Sequence, residues 1–147
     1  ITGGIGASGG NEGFAGPYNL PNMSAYCETC ASIAFVLFNE RLFLAHGDGK
    51  YIDVMEKTLY NALLSGISLS GDHFFYPNPL ESFGQHSRSE WFGCACCPPN
   101  VARTLASLGG YAYALSDDAL WVNLYIQGSV NVTLKDRKVT LNVTTEY

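Results

Sequence analysis

The sequence predicts a mainly α-helical chain whose C-terminal residues begin a separate β domain. Between about residue 24 and residue 115, apolar side chains recur at helical spacing or in long apolar runs. After Ser116-Asp117-Asp118 the pattern changes to the apolar–polar alternation that is typical of strands. Helices followed by strands favour two domains, which we expect at residues 1–116 and 117–147.

The composition limits the classes of protein to which this chain can belong. It has 147 residues, with 8 Lys and Arg against 13 Asp and Glu, and a formal net charge of −5. A nucleic-acid partner is not expected, because such binding needs a basic stripe. Charged residues make up 14% of the chain, compared with about 25% in a typical soluble domain. We therefore expect much of its surface to be covered, which is typical of a piece of a larger protein.

The N-terminal part of the chain is predicted to be a loop followed by a buried helix. Residues 1–22 are rich in Gly, Asn, Ser and Pro, and such segments often line sites because glycine lets backbone approach a ligand closely. The helix is expected over about residues 24–45, with Ser24 as its N-cap. Its central run, residues 33–38, is apolar on every face, which predicts a helix that is buried on all sides.

A second helix is expected after the break at His46-Gly47-Asp48-Gly49. Asp48 is suited to cap its start, and Gly66 is the expected stop. The apolar stripe of this helix consists of Ile52, Met55, Leu59 and Leu63. Residues 67–93 are predicted to be irregular, apart from short strand-like pieces such as residues 73–76.

The remaining elements are a third helix and three strands. Pro98 and Pro99 suit the first turn of a helix, which is predicted to run to about Leu115. Strands are expected at residues 120–126, 130–134 and 139–143, and a turn at residues 135–138 joins the last two into a hairpin.

Cellular location is predicted from what the sequence lacks. It contains no apolar run of about 18 residues, so no membrane-spanning helix is expected. Residues 1–6 have neither the basic nor the apolar region of a signal peptide. The clustered, odd number of cysteines is a poor disulfide framework and favours a reducing compartment. We therefore predict a cytoplasmic protein without a membrane partner.

The five cysteines fall in two tight clusters. Cys27-Glu28-Thr29-Cys30 opens the first helix, and Cys94-Ala95-Cys96-Cys97 precedes the third. The span between the clusters is several times longer than the roughly 12–20 residues found in small zinc modules, so any ligands would come from a preformed helical scaffold. Thiolates with a carboxylate suit tetrahedral Zn²⁺. Buried apolar cysteines, a purely structural zinc site and a redox Cys-x-x-Cys are the alternatives.

Three segments carry a resemblance to a known family. They are Thr2-Gly3-Gly4-Ile5-Gly6 with Glu12 shortly after it, Tyr26-Cys27-Glu28-Thr29-Cys30-Ala31, and the segment from Glu90 to Asn100 that contains Cys-x-Cys-Cys-Pro-Pro-Asn. Together and in this order, they resemble the β-L-arabinofuranosidases of glycoside hydrolase family 127. The resemblance extends from the first residue to about residue 130, and the two cysteine motifs are its most specific parts.

The resemblance implies a fold and an activity. The expected fold is the C-terminal part of an (α/α)₆ barrel, which holds the catalytic site, followed by the first strands of a β-sandwich. The implied activity is retaining exo-hydrolysis of terminal β-L-arabinofuranosides, with a glycoside or oligosaccharide as substrate. Because the family's barrel begins upstream of the Gly-rich segment, the isolated chain is expected to be inactive. It is also expected to associate with the remainder of the barrel or with itself.

The resemblance also implies roles for individual residues. A Zn²⁺ ion would be held by Glu28, Cys30, Cys96 and Cys97. Cys96 matches the nucleophile of the family, and Glu12 matches the general acid/base. Tyr76 matches a tyrosine near the nucleophile, where it would touch substrate, and Cys94 lies beside the site.

Two alternative functions stay open at this point. One is a non-catalytic carbohydrate-binding or scaffold protein with a structural zinc site, in which Glu12 is an ordinary solvated loop acid. The other is a related glycosidase for another furanoside. Metal that stabilises the fold without any covalent adduct would favour the first alternative.

Overall fold

A computed structural model describes residues 1–146 of the chain. These residues form three α-helices and two small antiparallel sheets. The helices are α1 (Thr29–His46), α2 (Lys50–Thr58) and α3 (Cys97–Ser107). A π-helical turn (Leu59–Leu63) and a 3₁₀ turn (Leu64–Gly66) follow α2, and a 3₁₀ turn (Leu108–Gly110) follows α3. The strands are β1 (Tyr113–Leu115), β2 (Leu120–Val122), β3 (Gly128–Leu134) and β4 (Arg137–Val143).

The described chain divides into two compact units, Ile1–Leu105 and the residues from Ala106 onward. In the first unit, α1 packs against α2 and against the π-helical turn. Ile33 and Val36 of α1 are fully buried, as are Met55 of α2 and Leu59 and Leu63 of the turn. Burial of this set confirms most of the apolar stripe predicted for the second helix. The domain boundary expected after residue 116 stays a prediction.

The first helix begins later than the sequence indicates. It starts at Thr29, and Glu28 rather than Ser24 occupies the N-cap position. Cys27 is the cause, because it adopts a left-handed backbone conformation with φ +40°, and its N–H donates to the carbonyl of Gly6 at 2.8 Å. A residue held in that conformation cannot continue a helix towards Ser24.

The first helix is also not buried on all sides. Ile33 and Val36 face the core, whereas Phe38 is 57% and Leu44 is 55% exposed. The expectation of an all-round buried helix was wrong for this chain, because the described partners of α1 cover one side of it. A helix with apolar residues on every face can be buried on all sides, but only if neighbouring elements cover every face.

The second helical segment ends as predicted, but its N-cap position is Gly49 rather than the predicted Asp48. The Asp48 carboxylate lies one residue before the cap and accepts a hydrogen bond from the Lys50 N–H at 3.0 Å. The helical segment stops at Gly66, where an added Cβ would lie 2.9 Å from the Thr29 hydroxyl oxygen. Glycine is therefore required here by the close approach of α1. The π-helical turn before it was not anticipated from the sequence.

The segment after Gly66 is irregular, as expected, but it is firmly attached to α1. Phe74 forms isolated bridges with Ile67 and Ser89. The Thr29 N–H donates to the Tyr76 carbonyl at 3.0 Å, and the Thr29 hydroxyl donates to the Phe75 carbonyl at 2.8 Å. These bonds occupy a helix N-terminal donor that would otherwise lack a partner.

The second unit differs from the prediction at two places. Helix α3 and its 3₁₀ turn end at Gly110, whereas Leu115 was expected, because residues 113–115 pair as β1 with β2. Gly109-Gly110 accounts for the early stop, since glycine is a poor helix former. The strand predicted at residues 120–126 contracts to the three residues of β2.

The predicted hairpin is confirmed as β3 and β4. Val130 pairs with Leu141 and Val132 with Val139, so the apolar residues share one face. Lys135 and Asp136 form the turn with φ +44° and +65°. Two positive φ angles are the signature of the two-residue turn whose twist matches that of the strands.

Candidate metal and catalytic site

Four side chains from two distant segments converge in the first unit. One ligand atom from each of Glu28, Cys30, Cys96 and Cys97 lies within 4.8 Å of all the others. The Cys30 sulfur is 3.1 Å from that of Cys96 and 3.5 Å from that of Cys97. A Glu28 carboxylate oxygen is 3.4 Å from the Cys96 sulfur and 3.8 Å from the Cys97 sulfur.

Local backbone geometry presents these residues at two helix N-termini. Glu28 and Cys30 lie at the start of α1, directly after the left-handed Cys27. Cys96 and Cys97 lie at the start of α3, where the Cys96 N–H donates to the Cys94 carbonyl at 2.8 Å in a tight turn. Proline is tolerated in the following first turn of α3 because no intrahelical N–H is needed there.

The four residues fit a tetrahedral divalent ion. Ligands about 2.3 Å from a Zn²⁺ centre would have sulfurs about 3.8 Å apart in an ideal tetrahedron. The two sulfur–sulfur distances, 3.1 and 3.5 Å, are shorter than that spacing. The Glu28 oxygen lies 3.4 and 3.8 Å from two of the sulfurs, close to the spacing of about 3.5 Å that an oxygen and a sulfur ligand would have around the same ion. Three sulfurs and one carboxylate oxygen are also the ligand types that zinc prefers, whereas magnesium and calcium prefer oxygen alone.

The electrostatics of the cluster also favour a bound cation. Burial raises the pKa of the Cys30 thiol to about 11. It raises the pKa of the Cys97 thiol further, with the neighbouring Cys30 side chain adding to the effect. Thiols gathered in this way stay protonated at neutral pH unless a cation offsets their charge. A coordinated divalent ion supplies that charge and holds such thiols as thiolates.

Glu12 lies on a tight turn of the N-terminal loop. Ser8 and Gly13 close this turn with two backbone hydrogen bonds of 3.0 and 3.1 Å, and Glu12 has a left-handed φ of +51°. The exposed Glu12 carboxylate accepts a hydrogen bond from the Tyr26 hydroxyl at 3.0 Å. Burial and this bond raise the pKa of Tyr26 above its usual range, so Tyr26 remains a donor.

Tyr76 lies at the cluster. The Cys96 side chain, together with burial, raises the pKa of Tyr76 above its usual range. The charges of Glu28 and Glu12 act on Tyr76 in the same direction. The Tyr76 ring meets Phe92 edge-on, with the ring centroids 5.4 Å apart. Tyr76 is therefore close to Cys96 and within electrostatic range of Glu12.

The two remaining cysteines lie outside the four-residue cluster. Cys94 is exposed, and it contributes its backbone carbonyl to the turn at Cys96. Cys27 is buried with a free thiol, and its backbone shapes the loop that presents Glu28.

Sequence reasoning assigned no role to three residues that the structure places at the site. Tyr26 holds Glu12, as described above. The Asn100 side chain partly offsets the rise that burial causes in the pKa of the Cys30 thiol, and Arg103 donates from Nε to the Asn100 amide oxygen at 2.6 Å. Helical spacing was the available signal for the last two, since Asn100 follows Cys96 by four residues and Arg103 follows Asn100 by three.

Comparison with known proteins places the chain among the glycoside hydrolases. Residues 1–110 match the family described as beta-L-arabinofuranosidase, GH127 catalytic domain. The chain therefore belongs to glycoside hydrolase family 127, and the resemblance read from its motifs is confirmed.

Similar proteins include one curated enzyme and two solved structures. The non-reducing end β-L-arabinofuranosidase of Bifidobacterium longum subsp. longum is 41% identical over 128 residues, which cover 80% of this chain and 20% of that enzyme. A solved GH127 β-arabinofuranosidase is 56% identical, with a TM-score of 0.95 over 99% of this chain and 23% of its own. A GH127 β-L-arabinofuranosidase from Geobacillus stearothermophilus T6 is 45% identical, with a TM-score of 0.94 over 100% of this chain and 25% of its own.

These comparisons also show how much of each relative the chain represents. It spans about a fifth to a quarter of the length of the relatives that it matches. No helix among residues 1–146 is both long and apolar enough to cross a bilayer.

Proposed function

We propose that this chain carries the zinc centre and the catalytic pair of a retaining exo-glycosidase that hydrolyses terminal β-L-arabinofuranosides. The observation that carries the proposal is the convergence of Glu28, Cys30, Cys96 and Cys97 in a member of family 127. The choice of sugar rests on the activity named for the similar enzymes. In this proposal the chain acts as part of a longer polypeptide, as part of an (α/α)₆ barrel and the start of a β-sandwich.

A bound Zn²⁺ ion would stabilise the thiolate form of its cysteine ligands at neutral pH, where a free thiol is mostly protonated. Of the two adjacent cysteines, Cys97 is fully buried whereas Cys96 is partly exposed. A substrate can therefore reach Cys96 and not Cys97. In this proposal the hydroxyl of Tyr76, whose pKa is raised by the Cys96 side chain, donates to the same sulfur and helps to orient it.

In the first chemical step, the Cys96 sulfur attacks the anomeric carbon. A carbon–sulfur bond forms as the glycosidic carbon–oxygen bond breaks, and the electron pair of the broken bond stays on the departing oxygen. Glu12, protonated at this stage, gives its proton to that oxygen. The sugar is then linked covalently to Cys96 with inverted configuration.

In the second step, the Glu12 carboxylate takes a proton from a water molecule, whose oxygen attacks the anomeric carbon. The carbon–sulfur bond breaks and its electron pair returns to Cys96. Two inversions at one carbon give net retention. The Tyr26 hydroxyl donates a hydrogen bond to the Glu12 carboxylate at 3.0 Å and helps to hold it in place.

The decisive experiment compares Cys96→Ala with Cys94→Ala in the polypeptide that carries these residues. Hydrolysis of an aryl β-L-arabinofuranoside and zinc content by elemental analysis are measured for both. We expect kcat to fall by a factor of about a thousand or more for Cys96→Ala, as is typical of a lost nucleophile. Cys94→Ala should keep most of its activity. Full turnover by Cys96→Ala would reject the nucleophile, and bound zinc without turnover by the parent would favour a structural site.

A further inference from the structure

Asn78 joins three segments of the first unit by hydrogen bonds. Its side-chain Nδ2 donates to the Ala62 carbonyl of the π-helical turn at 3.0 Å, and to the Ser65 hydroxyl of the following 3₁₀ turn at 2.9 Å. Its backbone N–H donates to the Tyr26 carbonyl at 2.9 Å. One residue therefore fixes the backbone of Tyr26 relative to the end of the second helical segment.

The Asn78 amide is held in one orientation. A carbonyl group only accepts hydrogen bonds, so the amide atom that contacts Ala62 must be the nitrogen. Both hydrogens of that nitrogen are then engaged, one with Ala62 and one with Ser65. Ala62 is buried, so the bond to its carbonyl is costly to give up. The side chain of Asn78 is thus a firm attachment for the backbone that holds Tyr26.

Tyr26 connects this attachment to Glu12. The Tyr26 hydroxyl donates to Glu12 Oε1 at 3.0 Å. The Tyr26 ring also lies against the loop that carries Glu12, because a Cβ added at Gly9 would be 3.2 Å from the ring carbon Cδ2. Tyr26 is therefore held at its backbone by Asn78, and it contacts the loop through both its hydroxyl and its ring.

We propose that Asn78 is a positioning residue for the proposed proton donor: it fixes the backbone of Tyr26, and Tyr26 fixes the Glu12 carboxyl group. This inference rests on the proposed function, since it takes Glu12 to be the acid/base. With Oε1 accepting from Tyr26, the proton that Glu12 transfers in the first step is carried by Oε2. A misplacement of about 1 Å at a catalytic group can cost about 100-fold in rate, so loss of this support should be measurable.

The choice of leaving group separates this role from a general structural one. An alkoxide needs a proton in order to depart, whereas a nitrophenolate departs without one. A misplaced Glu12 therefore slows the first step with an alkyl glycoside more than with a nitrophenyl glycoside. A general loss of structure, or a disturbance of Tyr76 two residues before Asn78, would slow the first step with both substrates.

The test measures kcat/KM, which reports the first chemical step, with an alkyl and a nitrophenyl β-L-arabinofuranoside in the polypeptide that carries these residues. The variants are Asn78→Asp, which keeps the shape but removes both side-chain donors, and Tyr26→Phe, which removes the hydroxyl alone. Each is also combined with Glu12→Gln. Asn61→Asp is the matched control, because Asn61 is an exposed amide of the same π-helical turn and donates to the Lys57 carbonyl at 2.8 Å.

Asn78→Asp and Tyr26→Phe should each lower kcat/KM for the alkyl glycoside about 10-fold or more and change that for the nitrophenyl glycoside much less. Asn61→Asp should match the parent. Neither variant should lower the alkyl rate further in the Glu12→Gln background, because both act through that carboxyl group. Ser65→Ala removes one acceptor of the Asn78 amide. It should give a smaller loss of the same kind, and it tests the proposal even if Asn78→Asp does not fold.

Two failures of this test have different meanings. If Glu12→Gln shows the selective loss with the alkyl glycoside, but Asn78→Asp and Ser65→Ala slow both substrates equally or neither, the inference is overturned and the proposed function stands. Losses that persist undiminished in the Glu12→Gln background would overturn it as well. If Glu12→Gln shows no selective loss, or the parent hydrolyses neither glycoside, the proposed acid/base and this inference fail together.

Discussion

Cys96 has more polar contacts than a buried structural cysteine needs. Its sulfur lies 3.1 Å from that of Cys30 and 3.4 Å from a Glu28 oxygen, and it raises the pKa of the neighbouring Tyr76 hydroxyl. A cysteine that serves only as a small apolar side chain makes van der Waals contacts instead. The surroundings of Cys96 therefore favour a chemical role over a packing role.

The first prediction at the residue scale concerns the Tyr76 hydroxyl. Tyr76→Phe removes the hydroxyl that is proposed to donate to the Cys96 sulfur, while keeping the ring against Phe92. A hydrogen bond to a charged group contributes about 1.5–3 kcal/mol, so kcat should fall about 10- to 100-fold. Steady-state kinetics with an aryl glycoside would measure this change. Tyr60→Phe, on the π-helical turn, is the matched control, and equal kcat values for the two variants would contradict the prediction.

The second prediction concerns Glu12 as a proton donor. Glu12→Gln keeps the shape of the side chain but has no acidic proton, so glycosides with poor leaving groups should lose about 10²- to 10⁴-fold in rate. A substrate with a nitrophenolate leaving group should lose less in the first step, because that group departs without protonation.

Zinc content in the Glu12→Gln variant should stay unchanged, because Glu12 is outside the four-residue cluster. Glu81→Gln, an exposed acid elsewhere in the chain, is the matched control. Equal losses for good and poor leaving groups in both chemical steps would speak against the acid/base role of Glu12.

At the scale of elements, contacts of its two neighbours in sequence, Phe75 and Pro77, hold Tyr76 in place. The Phe75 ring stacks on His86 with centroids 4.6 Å apart, and the guanidinium of Arg88 lies 4.5 Å from the same ring. Arg88 also donates to the Ser65 carbonyl at 2.6 and 3.2 Å, and His86 Nε2 lies 2.8 Å from the Pro77 carbonyl. These contacts fix an irregular segment that has no regular sheet or helix of its own.

The Phe75–Tyr76 segment is also fixed against the start of α1. Thr29 binds the carbonyls of Phe75 and Tyr76, and the Phe75 N–H donates to the Gly66 carbonyl at 2.8 Å. Thr29 itself is fully buried. The same helix start carries Glu28 and Cys30, so packing at Thr29 connects the position of Tyr76 to that of two proposed ligands.

The third prediction tests this junction. Gly66→Ala places a Cβ 2.9 Å from the Thr29 hydroxyl oxygen and 3.0 Å from its methyl carbon. Overpacking of this kind typically costs about 1–3 kcal/mol, so the free energy of unfolding should fall by that amount in urea denaturation. Gly109→Ala is the matched control, because nothing lies within 4 Å of its added Cβ. A Gly66→Ala variant as stable as the control would show that α1 approaches this turn less closely.

At the scale of the whole molecule, the cluster joins segments that are far apart in sequence. Glu28 and Cys30 lie 66 to 69 residues before Cys96 and Cys97. A metal ion bound to both segments would close a long loop and would stabilise the folded state by its binding free energy. Large apolar side chains such as Phe38 and Leu44 stay exposed, which supports the proposal that the chain works within a longer polypeptide.

The fourth prediction is a pH dependence of stability in the metal-free protein. The pKa of Cys30 is raised to about 11, above the value of about 8.5 for a free thiol. A raised folded-state pKa contributes stability that is fully present below the unfolded value and is lost as pH rises through the folded value. The Tm of the metal-free polypeptide under reducing conditions should therefore fall between about pH 8.5 and pH 11.

The metal-loaded polypeptide is the control for this pH dependence. Its cysteine ligands are already thiolates, so they release no further protons over the same range. The difference in Tm between the loaded and the metal-free forms should therefore grow with pH. A constant difference from pH 8 to pH 11 would show that the thiols are not buried together in the metal-free protein.

What followed from the sequence alone was what depends on neighbours along the chain. The stripe of Met55, Leu59 and Leu63 and the C-terminal hairpin were readable, because periodicity and turn chemistry are local. The turn of the hairpin was predicted at residues 135–138, whereas only Lys135 and Asp136 lie outside the paired strands. Family membership was readable as well, because the spacing within the cysteine motifs is a property of the chain itself.

Contacts between distant segments needed the folded structure. Thr29 begins α1 because the Cys27 N–H bonds the Gly6 carbonyl, and no local pattern near Ser24 encodes that bond. The Cys30 sulfur lies within 3.5 Å of those of Cys96 and Cys97, which follow it by 66 and 67 residues. Such pairings are selected by packing and by the need to satisfy buried polar groups, and these conditions exist only once the chain has folded.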